Sequence, residues 1–483
     1  MITTANLTIL FLSIFASITF NGFLRNISKA YNILIDIPEK SRKFHDRATP
    51  LTGGISIYVA TLVSALLLAG LTNIGIDTEI ADRGLLKESV IFDETLNRKY
   101  EVNDIEYDLL LKRDDEAKSI SIEIEAENKS PAIVKVEPSG DGEFLVTLPN
   151  GHKHTYSYSN GRVSAVVSDL ADESKNITPN LISPSNIIID SVTIAALICG
   201  ALIIIIMLLD DIYGLRASLR IFFQSVIAYL FIVISGESLL QLGNLLGDGP
   251  IFLGVFSTAF TIFCIVGLMN AFNLVDGLNG ICAMLALVPL SFLILLGSYH
   301  SGSLILIGTI LGFLAYNLGY LGKKRRVFLG DTGSNLLGFC LAIACIFYSQ
   351  GYSPAGVVIN PVTALWFVAI PVLDCISVMT SRIINGIMPF RPGRDHLHHM
   401  LLDKGLSSNQ ILLSYIFASG FLCGFGLMIQ EYFVGKDYFS FLVFVIFSLC
   451  YYVLTRTKFL KKCLIYLKKI KSSRMLNKNQ NLR

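Results

Sequence analysis

Long apolar runs alternate with short polar connections along most of this chain. A helix needs about 20 apolar residues to cross a bilayer. Eleven runs approach that length: 3–22, 53–73, 188–209, 218–236, 251–269, 280–299, 303–321, 334–350, 361–380, 410–430 and 438–455. Charged residues are nearly absent inside them, as the bilayer interior requires. The run 303–321 also holds glycines, which admit close helix–helix approach. One segment follows a different period. Residues 119–127, SISIEIEAE, alternate apolar and charged positions, and AIVKVEP, EFLVTLP, HTYSYSN and RVSAVVS repeat the habit. The separators PNG and SNG are hairpin-turn signals. The pattern predicts an all-α polytopic membrane protein of about eleven transmembrane helices, carrying a small, mostly-β extracytoplasmic insert. Residues 1–75 form the first two spans. Residues 76–187 are the insert, with its β-rich core near 95–170. Residues 188–456 form spans three to eleven and hold the cytoplasmic site, and 457–483 form a basic tail.

Composition sharpens this picture. Over 483 residues, 53% are hydrophobic and only 16% charged, and the mean hydropathy is +0.60. A soluble domain averages about 25% charged. A soluble enzyme, a disordered chain and a secreted disulfide scaffold are excluded. The overall charge of +2 hides a partition. Between 76 and 190 the chain carries 12 Lys and Arg against 23 Asp and Glu; the remainder carries 27 against 14. With the N-terminus outside, 26 basic residues of the short connections and the tail face the cytoplasm, and Lys436 alone faces the other side. The positive-inside rule therefore puts the N-terminus and insert outside and the C-terminus inside. The first residues lack a basic n-region and read as a membrane helix rather than a signal peptide. Of nine cysteines, all but Cys463 sit in apolar runs, and none forms a CxxC pair, which disfavours zinc and disulfides. The basic tail suits anionic inner-leaflet lipid. With no recognition module beside it, the chain is expected to bind no nucleic acid.

Five polar clusters sit at the ends of spans, all on the cytoplasmic side of this topology. Asp210-Asp211 closes the run AALICGALIIIIMLL. Two adjacent carboxylates repel, and a divalent cation relieves the repulsion. Their side chains diverge by about 100° on a helix, which suggests different tasks. An interfacial charge pair marking a helix end is the plainer reading. NAFNLVDGLNG, residues 270–280, spaces Asn270, Asn273 and Asp276 every three positions. Amides and a carboxylate suit a nucleobase, an amide-bearing sugar or a second ligand set near a cation; a helix C-cap is the alternative. RRVFLGDTGSNLLGF, residues 325–339, follows Lys323-Lys324 and puts Asp331 between Gly330 and Gly333. Glycines let backbone approach a ligand, and Asp331 offers a metal-ligand carboxylate. RPGRDHLHHML, residues 391–401, gathers Arg391, Arg394, His396, His398 and His399, a set suited to a pyrophosphate or phosphate dianion. Surface decoration and zinc binding are the competing readings. In the first connection, SRKFHDRATPLTGG, Lys43 and His45 offer further anionic contacts.

Basic, amide and acidic clusters facing one compartment point to a soluble, multiply phosphorylated substrate with a divalent cation. Eleven spans make sense for such a catalyst if its second substrate lives in the bilayer. The inferred class is phosphoryl-group transfer from a soluble diphosphate to a lipid phosphate. A transporter or flippase for an anionic solute is the other reading; transporters favour midplane sites and internal repeats, whereas these charges lie at span ends and no repeat is visible.

In their order, SRKFHDRATPLTGG, LLDD, NAFNLVDGLNG, VFLGDTGS and RPGRDHLHH resemble the polyprenyl-phosphate N-acetylhexosamine-1-phosphate transferases, glycosyltransferase family 4. The likeness covers about 25–75 and 187–455 and leaves out the insert and the extreme tail. The H-x-H-H form with RPGRD is similar to the branch that initiates O-antigen and enterobacterial common antigen. The resemblance implies a multi-pass protein of the bacterial inner membrane. It implies a UDP-sugar donor, most of all UDP-N-acetylglucosamine, with undecaprenyl phosphate as acceptor and Mg²⁺, or alternatively Mn²⁺, as cofactor. It also implies roles. Asp210 would position or deprotonate the lipid phosphate, Asp331 would ligate the metal, and Asp211 would support the cation. Asp276 would organise the nucleotide and metal site. His396, His398 and His399, with Arg391 and Arg394, would hold donor phosphates. Where the family often reads Asp-Gly-x-Asp-Gly, this chain has Asn279 in place of the second acid, keeping polar reach without charge. The insert is a candidate surface for an extracytoplasmic partner, and a homodimer is a candidate assembly.

Overall fold

The computed structural model describes residues 4–37, 47–71, 191–296, 301–352, 357–389 and 393–456, together with seven strands between 95 and 167. Lys43, His45 and Arg391 lie outside the described residues, as does the tail after 456. The chain divides into two compact units, one of residues 1–77 and 184–483, the other of 78–183.

The first unit is helical. Helices α1 (Thr4–Tyr31) and α2 (Gly53–Leu71) flank a two-stranded antiparallel pair, β1 (Ile35–Asp36) and β2 (Thr49–Pro50). After the insert come α3 (Ser191–Tyr213), α4 (Ala217–Ser235), α5 (Ser257–Val275), α6 (Ile281–Leu295), α7 (Ser301–Asn317), α8 (Gly330–Ser349), α9 (Pro361–Phe367), α10 (Ala369–Ile384), α11 (Leu397–Asp403), α12 (Ser408–Tyr432) and α13 (Asp437–Arg456). Local chemistry sets several ends. Gly236 closes α4 in the left-handed region at φ 72°, which glycine adopts without a Cβ penalty. Pro361 opens α9 where its missing N–H costs nothing. Ser407 and Gln410 form a reciprocal capping box on α12.

Helix α8 is the hub: 89% of its apolar window is buried, against 17–39% for the other long helices. It packs on α5, α3, α2 and α6. Gly338 makes the α5 contact, because a Cβ there would press on Leu268 O and Met269 Cα. The α1–α7 contact uses the same device. Gly308 lies against Ser13 and Gly312 against Ser17, and the Ser17 hydroxyl donates to Thr309 O (2.7 Å).

Among the described residues, seven helices are long and apolar enough to cross a membrane, and the α9–α10 pair, bent by 78°, makes an eighth if taken as one span. The protein is thus a polytopic membrane protein. Each of the eleven apolar runs falls on a helix, but three are short: Gly53–Leu68, Ile281–Leu295 and Ser301–Asn317. At 1.5 Å rise, the 15 residues of α6 reach only about 22 Å, short of a ~30 Å hydrocarbon core. Hydropathy windows register apolar length, not where a helix stops, so eleven runs correspond to seven or eight helices of full spanning length and three shorter apolar ones among the described residues.

The second unit is antiparallel β. Strands β3 (Thr95–Val102), β4 (Ile105–Asp114), β5 (Ser119–Ala126) and β6 (Lys129–Val136) make a four-stranded meander. Strands β7 (Gly142–Thr147), β8 (Lys153–Ser159) and β9 (Arg162–Val167) make a three-stranded one. SISIEIEA is β5, and the SNG signal falls where Ser159 pairs with Arg162.

Candidate active site

Two glycine-bearing motifs from distant parts of the chain join as backbone. Phe328 N–H donates to Pro50 O (2.8 Å), Gly53 N–H to Phe328 O (2.9 Å) and Gly54 N–H to Leu329 O (3.0 Å). A Cβ on Gly54 would overlap the Gly333 backbone. TPLTGG and LGDTG therefore fit as one unit. Gly330, at φ +75°, turns the chain into α8 and leaves Asp331 in its first turn. The positive end of the helix dipole favours a carboxylate there.

Asp210 and Asp211 end α3 facing different ways. Asp210 is buried. Its Oδ1 accepts Leu215 N–H (2.8 Å) and its Oδ2 accepts Arg220 Nη1 of α4 (3.1 Å), so it shapes the α3–α4 turn. Asp211 is exposed. The charges of Asp210 and Asp331 act on Asp211, and those of Arg220 and Asp210 act on Asp331, so the four form one electrostatic group.

Behind Asp331 runs a chain of amides. Asn270 Nδ2 donates to Gln224 Oε1 (2.8 Å), Gln224 Nε2 to Asn335 Oδ1 (2.7 Å), and Asn335 Nδ2 to Asp331 O (2.8 Å). Asn273 Nδ2 donates to Ser334 Oγ (3.1 Å). Asn270 and Asn273 thus tie α5 to α4 and α8 in the wall of the site. Gln224 and Asn335, both buried, were missed in the sequence reading. An amide side chain within each apolar run was the only signal, and many such residues merely bond to their own helix. Asp276 follows the end of α5, half-buried, and Asn279 lies in the turn before Gly280. Burial, reinforced by the charge of Asp331, pushes the Asp276 carboxyl up to about 8.

The histidine loop closes on that turn. His398 is fully buried, and a Cβ on Gly277 would collide with its ring. Neither ring nitrogen of His398 has a hydrogen-bond partner. Burial, with His399 beside it (ring centroids 4.1 Å apart), pulls His398 down to about 3. His398 is therefore neutral at pH 7. His399 is half-buried and also lowered, chiefly by burial. His396 Nδ1 meets Asp374 Oδ2 at 2.8 Å. Arg382 grips Asp395 with Nε (2.9 Å) and Nη2 (2.6 Å), which holds the Asp395 carboxyl below its ordinary value against the opposing effect of burial. Arg394 points outward to Asp403 (3.0 Å), with both side chains largely exposed. Asp374 was also missed, and Arg382 and Arg456 counted only toward the cytoplasmic charge; an aspartate inside an apolar run, in PVLDC, was the available signal.

Among the described residues no group of three His, Cys, Asp or Glu side chains forms a ready metal cage. Mg²⁺ does not need one, since it is commonly held by one or two carboxylates plus substrate phosphates and water. Asp331 and Asp211, hard oxygen donors in one electrostatic group, fit an ion of that kind.

Carboxylates and amides from α3, α4, α5 and α8, met by a histidine loop, define a polytopic membrane protein with one composite polar site at the helix ends. Residues 193–349 match the family model described as glycosyl transferase family 4. The chain is 34% identical over 239 residues to the undecaprenyl-phosphate alpha-N-acetylglucosaminyl 1-phosphate transferase of Yersinia pestis, covering 48% of this chain and 64% of that protein. The proteins of the same description from Haemophilus influenzae (33% identical; 51% of this chain, 71% of that protein) and Escherichia coli O157:H7 (30%; 53% and 70%) are also similar. This chain belongs to glycosyl transferase family 4. Its match spans just under two-thirds of the Yersinia pestis relative's length.

Proposed function

We propose that the protein transfers a HexNAc-1-phosphate, most of all GlcNAc-1-phosphate, from a UDP-sugar to undecaprenyl phosphate. The products are undecaprenyl-diphospho-HexNAc and UMP, and the step initiates a cell-surface glycan. The observation that carries this reading is the grouping of Asp210, Asp211, Asp276 and Asp331 with the loop containing His396 and His398. The relatives' descriptions name the same lipid phosphate and sugar. Eleven spans in the bacterial inner membrane, with the N-terminus and insert outside and the site facing the cytoplasm, complete the proposal. The basic connections and the eleven apolar runs support that topology.

In the reaction an oxygen of the lipid phosphate forms a bond to the β-phosphorus of the donor. The bond from that phosphorus to the bridging oxygen breaks, and UMP leaves with the electron pair. Asp331 and Asp211 would hold Mg²⁺, or Mn²⁺, which when bound offsets charge on the donor phosphates and the leaving UMP. Asp210, fixed by Arg220 and Leu215 N–H, holds the α3–α4 turn beside the acceptor. Asp276 with Asn270, Asn273 and Asn279 lines the nucleotide side. Lys43, His45, Arg391, Arg394 and the three histidines of 396–399 complete the donor contacts. With His398 neutral, positive charge toward the phosphates falls to the guanidiniums. A lipid phosphate monoester has its second pKa near 6 and so arrives largely dianionic, without needing a base.

The test is a donor panel. Protein in undecaprenyl-phosphate membranes is given radiolabelled UDP-GlcNAc, UDP-GalNAc or UDP-MurNAc-pentapeptide, with and without Mg²⁺. Label in the lipid fraction with stoichiometric UMP is expected from UDP-GlcNAc and only with the cation. Absence of both products across the panel would overturn the reading.

A further inference from the structure

The Asp374 carboxylate meets four side-chain or backbone donors, yet it lies in an apolar run. It sits 1% exposed in α10. Oδ1 accepts Leu397 N–H (3.1 Å) and the Tyr451 hydroxyl (3.2 Å), and Arg456 Nη2 stands 3.6 Å away. Oδ2 faces His396 Nδ1 at 2.8 Å. Tyr451 and Arg456 come from α13, the last described helix, more than seventy positions along the chain. Arg456 also bonds Ser377 Oγ through Nη2 (2.8 Å) and donates to Asp395 O, so it fastens the loop from beneath.

The donors around Asp374 decide its state. A protonated carboxyl would have to aim its own proton at one of them, whereas an ionised carboxylate can only accept. With Leu397 N–H, Tyr451 and Arg456 at Oδ1, the remaining oxygen needs a donor as well. A neutral imidazole donates from one nitrogen only. Nδ1 must then carry the proton, and Nε2 is the open position.

Resting on the proposed transferase reading, we propose that Asp374 is a positioning residue for the donor-phosphate loop: it fixes His396 in the Nδ1–H tautomer and in one ring orientation, and α13 holds Asp374 for that task through Tyr451 and Arg456. Asp374 touches no substrate and acts through His396. The ring then presents Nε2 to the donor as a hydrogen-bond acceptor for a donor hydroxyl, and the buried carboxylate behind it holds the ring and the loop in that one orientation. The arrangement parallels the carboxylate that orients the histidine of a hydrolytic triad. It also makes the last helix part of the site, although it lies far from the carboxylates in sequence.

The experiment uses full-length protein in lipid nanodiscs with ¹⁵N-labelled histidine, His396 being assigned by its absence in His396→Gln. The ¹⁵N shifts are expected to show a protonated Nδ1 and an unprotonated Nε2 in the wild type. Asp374→Asn, of the same size, offers a donor where Oδ1 or Oδ2 must accept. It is expected to change the His396 tautomer, lower kcat by roughly a hundredfold through misplacement of the loop and leave the KM for UDP-GlcNAc within a few-fold. A wild-type His396 protonated only at Nε2 overturns the proposal, whether or not the variant folds. So does a folded Asp374→Asn that keeps both the tautomer and the wild-type kcat. If the wild type transfers no sugar at all, the transferase reading fails, and the tautomer remains a separate measurement.

Discussion

The His398 imidazole occupies the space that a side chain at Gly277 would need. Two motifs 121 positions apart, the turn after α5 and the first turn of α11, therefore close on each other through the absence of one Cβ. That contact brings the histidine loop up to the carboxylate group.

Gly277→Ala tests it. The added methyl displaces the ring, and with it the loop, while Gly277 lies outside any helix and its substitution leaves the bundle intact. Misplacement of about 1 Å can cost a hundredfold in rate. Transfer is expected to fall by that order with normal membrane insertion, as read by label in the lipid product and by detergent-solubilised yield. Wild-type turnover would show that the loop can move away without consequence.

Gly54→Ala probes the other backbone junction. Its Cβ would meet the Gly333 backbone rather than the end of a flexible side chain, so neither partner can yield cheaply. Overpacking of this kind costs about 1–3 kcal/mol. A lower thermal midpoint of the purified protein is expected, together with reduced transfer, because Asp331 begins the helix that is pushed. Activity lost without any change in midpoint would assign Gly54 a direct role instead.

These junctions show what the sequence could reveal. The motifs announced themselves because glycine, amide and carboxylate residues are out of place at the ends of apolar runs, and the eleven runs all became helices. The β insert was legible from the period-two alternation of SISIEIEA. What was not legible was pairing across the chain. Nothing local tells that Gly54 meets Gly333 or that Arg456 reaches Asp374. Gln224 and Asn335 each look like one tolerated polar residue until the helices pack. Arg394 reads as a phosphate ligand by composition, and its pairing with Asp403 was not legible either. Span length was also misread where apolar residues continue beyond a helix end.

Acid should weaken the fold through His398. Burial lowers its folded-state value to about 3, against 6.5 for the free side chain. The unfolded chain therefore takes up a proton first as pH falls. The stability contributed by keeping this ring neutral is complete above about 6.5 and is lost progressively as pH drops toward about 3. His398→Gln removes that titration. The dependence of unfolding on pH between 6.5 and 4 is expected to be shallower in the variant, followed by thermal or denaturant unfolding in detergent. Parallel curves would exclude His398 as the titrating group.

The insert forms a unit of its own, residues 78–183, outside the helical unit that holds the site. Replacing residues 90–170 with a short flexible linker is expected to keep turnover within about threefold, since no residue assigned to the chemistry is lost. The same assay with label in lipid measures it, with insertion checked by cysteine accessibility. Complete loss of turnover in a properly inserted deletion would make the insert part of the catalyst.

Asp331→Asn separates charge from architecture. The substitution keeps size, and the backbone of Gly330 and Gly333 that seats α8 against Gly53 and Gly54 is untouched. Insertion and unfolding midpoint should therefore stay near wild type. Removing an electrostatic group of this kind costs about 10²–10³ in rate, and transfer is expected to fall at least that far at saturating Mg²⁺. A second readout follows from the neighbouring acid. Asp276 is pushed up to about 8 first by burial and then by the charge of Asp331. With that charge gone, its midpoint should fall but remain above the ordinary carboxylate value of 3.8, because burial persists. Carboxyl ¹³C shifts of labelled aspartate, followed from pH 4 to pH 9 without metal, report this directly. An unmoved Asp276 would mean that the two carboxylates do not sense each other, and the grouping that supports the proposed chemistry would come apart at its centre.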